Sequence, residues 1–467
     1  MYKLRDYQEA GTDACVSILT SKTPRREIVV SPTGGGKSLY IAFAASKIDF
    51  PLVILQPSKE LLQQNYKKYI ELGGKAEIYS ASLKTLNIGT VTFATIGSIK
   101  NKVQELKKLG VKAIIIDEAH LGTKSDSSIR NFIKAVSITN VLGLTATPVY
   151  LQGGLNGAEL KMMTRVKGSL FRDIAHVTQI SELVKNNFWS KLIYHVKKQN
   201  TGFLDLNSNG SDYTLKSQKD FYEGNHLERQ IIENVDYLKS INRKSILVFV
   251  PSIEEAVSLS HKIPGSKYVH SNMKPSERDD VVNSFKNLEV QVVINVNILS
   301  VGFDHPQLDG IITARSTNSI AIYYQQIGRG VRIFPGKKDC IVIDLSGNHD
   351  NFGMVEDLNF EYIEGWGWGM FTKDSLLTNY PMGAKKRPTK KSLADGVERK
   401  RKQIFEVKSF QGTKEPIKLW FGKYNGKTLE QVHKENDRYF PWVIDNFEFK
   451  GEKMKNLEKE IKLILNL

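Results

Sequence analysis

The chain has 467 residues, 40% of them hydrophobic, and a formal net charge of +16; this basic surplus suits a polyanionic partner, because counterions displaced from phosphates drive association. Its length allows two or three domains with separate cores, and no apolar run reaches the roughly 18 residues that would suggest a membrane-spanning helix. Two cysteines, Cys15 and Cys340, exclude a disulfide scaffold and a four-cysteine zinc site, and together with an N-terminus that lacks an apolar signal region they point to a reducing cytoplasm.

To about residue 350, short apolar runs alternate with longer helical stretches. The predicted strands are "REIVVSP", "PLVILQP", "VTFATI", "AIIIDE", "VLGLTATP", "SILVFVP", "VQVVINV", "DGIITA" and "CIVIDLSG". Several are continuously apolar, as parallel strands covered on both faces must be. The long interval between Pro148 and Ser245 separates two sheets in series, so the fold class is α/β with βαβ units. Within that interval 149–230 reads as a connection: "LQGGLNGAELKMMTRVKGSLF" is Gly-rich and then helical, and "LDLNSNGSDY" is a polar loop. After residue 350 comes the aromatic, glycine-rich "EGWGWGMF", and then "AKKRPTKKSLADGVERKRK", a basic linker. The expected divisions are 1–180, 181–350, a linker over 351–414, and a small C-terminal unit over 415–467.

"SPTGGGKS" (31–38) follows the first predicted strand and opens a helical stretch. Glycines let backbone N–H groups close around phosphates, and the helix N-terminus adds a favourable dipole. Thr33, Gly34, Gly35 and Gly36 form this cradle. Lys37 is expected on the β- and γ-phosphates and Ser38 on Mg²⁺; Ser31 stands where the strict pattern has glycine. "AIIIDEAH" (113–120) places Asp117 and Glu118 at the C-terminal end of a buried strand, the edge where open α/β sheets bind ligands. Asp117 is expected to hold Mg²⁺ and Glu118 to activate the attacking water, which suits phosphoryl transfer from ATP.

In their order, these motifs resemble those of superfamily 2 helicases with a DEAH-type motif, over roughly residues 4–345. The resemblance implies two RecA-like, doubly wound parallel-sheet lobes in tandem, followed by the small C-terminal domain. "LRDYQ" is similar to the family's adenine-reading element, implying nucleotide contacts from Arg5 and Gln8. "LQPSKELLQQ" and "ATIGSI" resemble segments that touch the nucleic-acid backbone, which assigns Pro57, Ser58, Lys59, Thr95, Gly97 and Ser98 to that role. "LTATP" resembles the motif that couples hydrolysis to strand movement, through Thr145 and Thr147 together with His120. "VINVNILSVGFDHPQLDGII" places Ser300 near the strand and Gly302 and Asp304 near the nucleotide, and "YYQQIGRGVR" puts Gln326, Arg329 and Arg332 in catalytic positions. Arginines three apart share a helix face, where planar guanidinium groups can neutralise charge developing on the γ-phosphate.

"LQPSKELL", "GRGVR" and "GKKDCIVIDLSGN" are most similar to phage and bacterial DNA-repair or recombination helicases. That implies a monomer acting on branched DNA or single-strand/duplex junctions, with recombination or replication proteins as partners. A zinc-binding tail carried by some such relatives cannot be built from two cysteines. The same motifs also fit an RNA helicase, the motor subunit of a larger nuclease or restriction assembly, or a binding module switched by ATP. Finally, "FGKYNGKTLEQVHKENDRYFPW" (421–442) resembles the exodeoxyribonuclease X-like C-terminal module. Lys423 and Lys427 are its candidate phosphate contacts and Tyr424 a candidate base-stacking surface, so the unit is expected to address the motor to DNA.

Overall fold

The computed structural model describes residues 3–378 apart from 124–126, 155–156, 167, 209, 300–302, 365–366 and 374. Beyond 378 it describes residues 424, 427–436, 439–446, 457, 461–462 and 464–465. The chain divides into two units, Met1–Arg387 and Pro388–Leu467.

The first lobe is built on β1 (Arg26–Val30), β2 (Leu52–Leu55), β3 (Glu77–Ser80), β4 (Thr85–Leu86), β5 (Val91–Ala94), β6 (Ala113–Ile116) and β7 (Asn140–Thr145). Next come β8 (Val149–Gly154), β9 (Gly157–Met162) and β10 (Asp173–Val177). The lobe's eight-stranded sheet runs β10-β1-β7-β6-β2-β5-β3-β4, parallel throughout except for the β3–β4 pair. The second lobe has β11 (Lys191–Val196), β12 (Ile246–Phe249), β13 (Lys267–Val269), β14 (Val292–Asn295), β15 (Gly310–Thr313) and β16 (Asp339–Asp344). They form a six-stranded parallel sheet in the order β11-β16-β15-β12-β14-β13. Every residue of β2, β6, β12, β14 and β15 is buried. Helices cover both sheet faces, which is why these strands read as unbroken apolar runs. Each lobe is a RecA-like doubly wound sheet, and each apolar run read as a strand is one.

Two stretches differ from the reading. The stretch after Pro148, expected to be Gly-rich and then helical, instead forms an antiparallel hairpin of β8 and β9. Its arms are joined by only two residues, a length at which local twist favours hairpins over helices. Part of the expected 351–414 linker is likewise folded. β17 (Leu358–Ile363), β18 (Gly367–Thr372) and β19 (Ser375–Leu376) make an antiparallel meander. It packs on the lobes because Leu358, Phe360 and Met370 join the main hydrophobic core, and Gln179 brackets Phe360 with hydrogen bonds to its carbonyl (2.6 Å) and from its N–H (3.1 Å). The period-two burial of Leu358 and Phe360 on one face was masked in the sequence by the neighbouring glycines and tryptophans. The basic run at 384–402 lies outside the described residues.

In the C-terminal unit, helices at Leu429–Glu435 and Tyr439–Asn446 bury Val432, Phe440 and Val443 together with Tyr424, Leu457 and Ile461. Thr428 and Gln431 form a reciprocal capping box at the first helix, satisfying two N–H groups that would otherwise lack partners.

Candidate nucleotide-binding cleft

From β1 the chain turns through Ser31–Gly36 into the helix Lys37–Ser46. Gly34 (φ 75°) and Gly36 (φ 93°) adopt left-handed backbone, which glycine reaches without a Cβ clash. At Gly36 an added Cβ would also stand 2.6 Å from Gln8 Nε2. The turn therefore brings the helix N-terminus and Lys37 to the C-terminal edge of the sheet, where Asp117 and Glu118 emerge from β6.

Glu118 has φ 45°, a left-handed conformation that costs a non-glycine residue about 1–3 kcal/mol and persists only where the surroundings enforce it. Lys37 Nζ holds it at 2.8 Å. Asp117 accepts from the Glu118 N–H (2.9 Å) and from Asn65 Nδ2 (3.0 Å), which also donates to Gln56 (3.0 Å). Burial, reinforced by the Glu118 charge, pushes the Asp117 carboxyl up to about 7, against the pull of Lys37. Burial works to raise Glu118 as well, but the Lys37 ammonium, by charge and hydrogen bond, holds that group below the ordinary glutamate value. The pair thus splits into one carboxyl that resists ionisation and one firmly ionised beside a lysine. One oxygen of Glu118, Oε2, is buried with no hydrogen-bond partner.

The second lobe presents Arg329 and Arg332. Arg329 donates to the Gln325 carbonyl (3.1 Å) and the Phe303 carbonyl (2.6 Å). Burial and Arg332 lower its guanidinium to about 9, opposed by Glu118 and Asp304, so it stays cationic at neutral pH. Arg332 Nε pairs with Asp304 at 2.6 Å. One cavity of about 310 Å³ is lined from both lobes, by Lys37, Ser38, Asp117 and Glu118 on one side and Asp304, Arg329 and Arg332 on the other.

His120 links the lobes a second time. Its Nδ1 lies 2.9 Å from Thr145 Oγ1 and its Nε2 3.4 Å from Gln325 Nε2. Burial lowers its pKa and Glu118 opposes this, so the ring is neutral. The contacts are met when Gln325 donates to Nε2 and the Nδ1–H donates to Thr145, whose Oγ1 also accepts from the Thr147 N–H (3.0 Å). A third bridge clamps the phosphate cradle: the Thr33 N–H donates to Tyr324 Oη (3.2 Å), and Trp189 Nε1 donates to the Thr33 carbonyl (3.0 Å).

Several residues lie elsewhere than expected. Gln326 is buried outside the cavity lining, and its neighbour Gln325 takes the cleft position. A helix of 3.6 residues per turn cannot present both, and core packing decided which faces in. Gln8 is buried, and its amide is spent on the Gly35 carbonyl (3.3 Å) and on capping the Arg5 N–H (3.0 Å); it shapes the cradle rather than facing the cavity. Arg5 does line the cavity, its guanidinium 3.7 Å over the Phe188 ring. Phe188, Trp189, Tyr324, Gln325 and Asn65 were not singled out from the sequence: Phe188 and Trp189 sit in the connection after the Ile180–Lys185 helix, outside any motif, and the residue types of "YYQQIGRGVR" do not say which of its neighbouring side chains faces the cleft.

Of the expected nucleic-acid contacts, Pro57 and Gly97 are exposed and Lys59 is half-buried. Ser58 caps the Lys59–Glu71 helix by accepting from the Leu61 N–H (3.3 Å), and Ser98 bonds Thr95 (3.0 Å) and the Ala81 N–H (3.0 Å). Ser300, Gly302 and Lys423 lie outside the described residues. Tyr424 is buried against Tyr439, with ring centroids 4.7 Å apart, so it builds the mini-core and cannot stack on a base. Lys427 is exposed and pairs with Glu435.

Residues 1–150 match the type III restriction enzyme res-subunit family, residues 228–334 the helicase conserved C-terminal domain, and residues 419–448 the exodeoxyribonuclease X-like C-terminal family. Among curated relatives, "Putative ATP-dependent helicase IRC3" of Saccharomyces cerevisiae is 27% identical over 374 residues, 74% of this chain and 51% of that protein. "Putative helicase 22" of a Sulfolobus islandicus filamentous virus is 26% identical over 79% of this chain and 69% of that protein. The chain spans about half the length of the yeast relatives it matches, 51% and 57%. In fold it resembles a DNA-bound type ISP restriction-modification enzyme, LlaBIII (TM-score 0.54, 16% identity, 74% of this chain and 28% of that one). It also resembles S. cerevisiae Dbp5 bound to RNA and ADP BeF3 (TM-score 0.50, 17% identity, 74% of this chain and 84% of that one). No described helix is long and apolar enough to cross a membrane.

Proposed function

We propose that this chain, which carries the tandem motor lobes of a superfamily 2 helicase, hydrolyses ATP between those lobes to move along DNA and remodel branched or forked structures. The observation that carries this reading is the shared cavity, with Lys37, Asp117 and Glu118 from one lobe facing Arg329 and Arg332 from the other.

The chemistry follows from these groups. The cradle N–H groups and Lys37 bind the β- and γ-phosphates, while Arg5 and Phe188 offer flat faces to a purine. The donor set of Ser38 hydroxyl and Asp117 carboxylate fits Mg²⁺, which takes one or two protein oxygens beside phosphates and neutralises their charge. Lys37 is committed to Glu118 at 2.8 Å; when phosphates draw the ammonium away, Glu118 is released to orient and deprotonate the attacking water. Arg329 stabilises charge on the departing phosphoryl group. Because His120 Nδ1 lies 3.5 Å from Glu118 Oε2 and the ring also meets Thr145 and Gln325, loss of that group alters how the lobes meet, and cycles of closure would ratchet a strand held by both.

The test is DNA-stimulated ATP turnover in wild type and in Lys37→Ala, with single-stranded, forked and RNA stimulators side by side. Full DNA-stimulated turnover in Lys37→Ala would sink the assignment of the cleft, and stimulation by RNA alone would make the chain an RNA helicase. A second reading, the motor of a restriction-type assembly, is favoured by the match of residues 1–150 to a restriction res subunit. The two readings part on forked DNA: a fork remodeller separates its strands with ATP, whereas a motor that only translocates on duplex hydrolyses ATP and leaves them paired. The C-terminal unit is proposed to address the motor to DNA, and its removal should leave basal hydrolysis intact.

A further inference from the structure

On the first lobe, at the end of the sheet opposite the nucleotide cleft, lies a second cavity of about 590 Å³. Arg26 opens β1, Lys134 lies in the last turn of the Ser128–Val136 helix, and Thr139 directly precedes β7; all three line it, together with Arg130. Arg172, just before β10, is not a lining residue but lies beside Arg26: its N–H donates to the Arg26 carbonyl (2.8 Å), and its charge acts on the Arg26 guanidinium. These positions are N-terminal to their strands, whereas the cradle and Glu118 are C-terminal. Since β1 spans 5 residues, the two sites are separated by roughly 16 Å of sheet.

The charge here is one-sided. In the register of β1 with β10, Glu27 faces Asp173, and the residues before them, Arg26 and Arg172, are neighbours. Like charges side by side across a strand pair destabilise it. Burial, together with Arg172 and Arg130, lowers the Arg26 guanidinium, and no carboxylate among the described residues acts on it. Arg130 is held by the Gly168 carbonyl, which leaves Arg26, Lys134 and Arg172 without an acidic partner among the described residues. Such a cluster in a concavity calls for an anion. No aromatic side chain lines the cavity, so nothing there would stack on a base, and recognition is of phosphate alone.

We propose that this cavity is a second phosphate-binding site, which seats the sugar–phosphate backbone of nucleic acid against the face of the first lobe opposite the ATP edge. The inference rests on the reading of the chain as a nucleic-acid motor and adds a contact remote from its motifs. Backbone contacts fix a protein's position on the duplex without reading sequence.

The test compares the full chain with Lys134→Glu/Arg172→Glu, and with Lys216→Glu/Lys244→Glu, a pair of exposed lysines on the second lobe that changes the charge equally. Binding of an end-labelled DNA duplex is measured over a salt series, with basal ATPase as the check on folding. The cavity pair is expected to bind about tenfold more weakly and to lose about two from the slope of log affinity against log salt, roughly one per phosphate contact. The second-lobe pair should change neither measure by more than about twofold. Equal losses in the two pairs would overturn the site. So would unchanged DNA affinity in a cavity pair that has lost the thermal stabilisation inorganic pyrophosphate gives wild type, because the cavity would then serve a free anion. Failure of wild type to bind any nucleic acid would instead remove the motor reading itself.

Discussion

The two lobes share a doubly wound parallel-sheet scaffold, and their chemistry parts at one turn. In each, a long helix (Asp6–Leu19, then Leu227–Ser240) precedes a buried parallel strand, β1 or β12, that leads into the next helix. After β1 the turn holds Gly34 and Gly36 in left-handed backbone and delivers Lys37. After β12 only Val250, Pro251 and Ser252 intervene, and Glu254 and Glu255 occupy the first helical turn. Acidic groups there suit the helix dipole but repel phosphate. The second lobe has the same unit without a phosphate cradle, and it contributes cations to its neighbour's site. Under the proposed function, this division of chemistry between matched scaffolds makes hydrolysis depend on how the lobes meet.

The sharpest way to break this comparison is to remove one group from each lobe. Glu118→Gln and Arg329→Ala should each lower DNA-stimulated kcat by about 10³-fold or more, measured by phosphate release, with ATP binding retained in Glu118→Gln. Near-normal turnover in Arg329→Ala would mean that the first lobe is sufficient alone.

A smaller effect separates adjacent glutamines. Gln325→Ala removes the contact to His120 and should reduce DNA stimulation of the ATPase about tenfold, on the order of 1.4 kcal/mol of coupling, whereas Gln326→Ala should act through stability alone. The reverse pattern would place the relay on the other helix face. Tyr324→Phe strips the Thr33 N–H of its partner and should cost about 1–3 kcal/mol, seen as a melting temperature lower by a few degrees.

An effect that vanishes at neutral pH belongs to His305 in the second lobe, whose Nε2 lies 2.7 Å from Ser245 Oγ. Burial, with Lys286 and Lys337, pushes this imidazole down to about 4 from its ordinary 6.5. Between those values the unfolded chain binds the extra proton, so stability falls as pH drops from 6.5 towards 4 and is unaffected above 6.5. In His305→Gln the melting temperature should decline less steeply over that window, and parallel profiles would exclude the histidine as the cause.

Much of this was legible in the residues. Continuous apolar runs disclosed the parallel strands, and "SPTGGGKS" and "AIIIDEAH" marked residues that line the first lobe's side of the cleft, because there short-range spacing places adjacent residues together. Legibility failed where partners are distant. The β17–β19 meander looked like linker because its core lies on another element. Tyr424 looked like a stacking surface because its burial depends on Tyr439 and Phe440.

By itself, then, the sequence determined the apolar parallel strands, the glycine turn before Lys37, the paired carboxylates and the arginines three apart, all written in short-range spacing. Only the tertiary structure decided that Gln325 rather than Gln326 meets His120, that Gln8 supports the cradle from behind, and that Trp189 and Tyr324 clamp Thr33 across the lobes. It also gathered Arg26, Arg130 and Lys134 from separate stretches into one cavity. The physical reason is common to all: local spacing fixes which residues share a face, but which face is buried, and against what, is set by contacts between residues far apart in the chain.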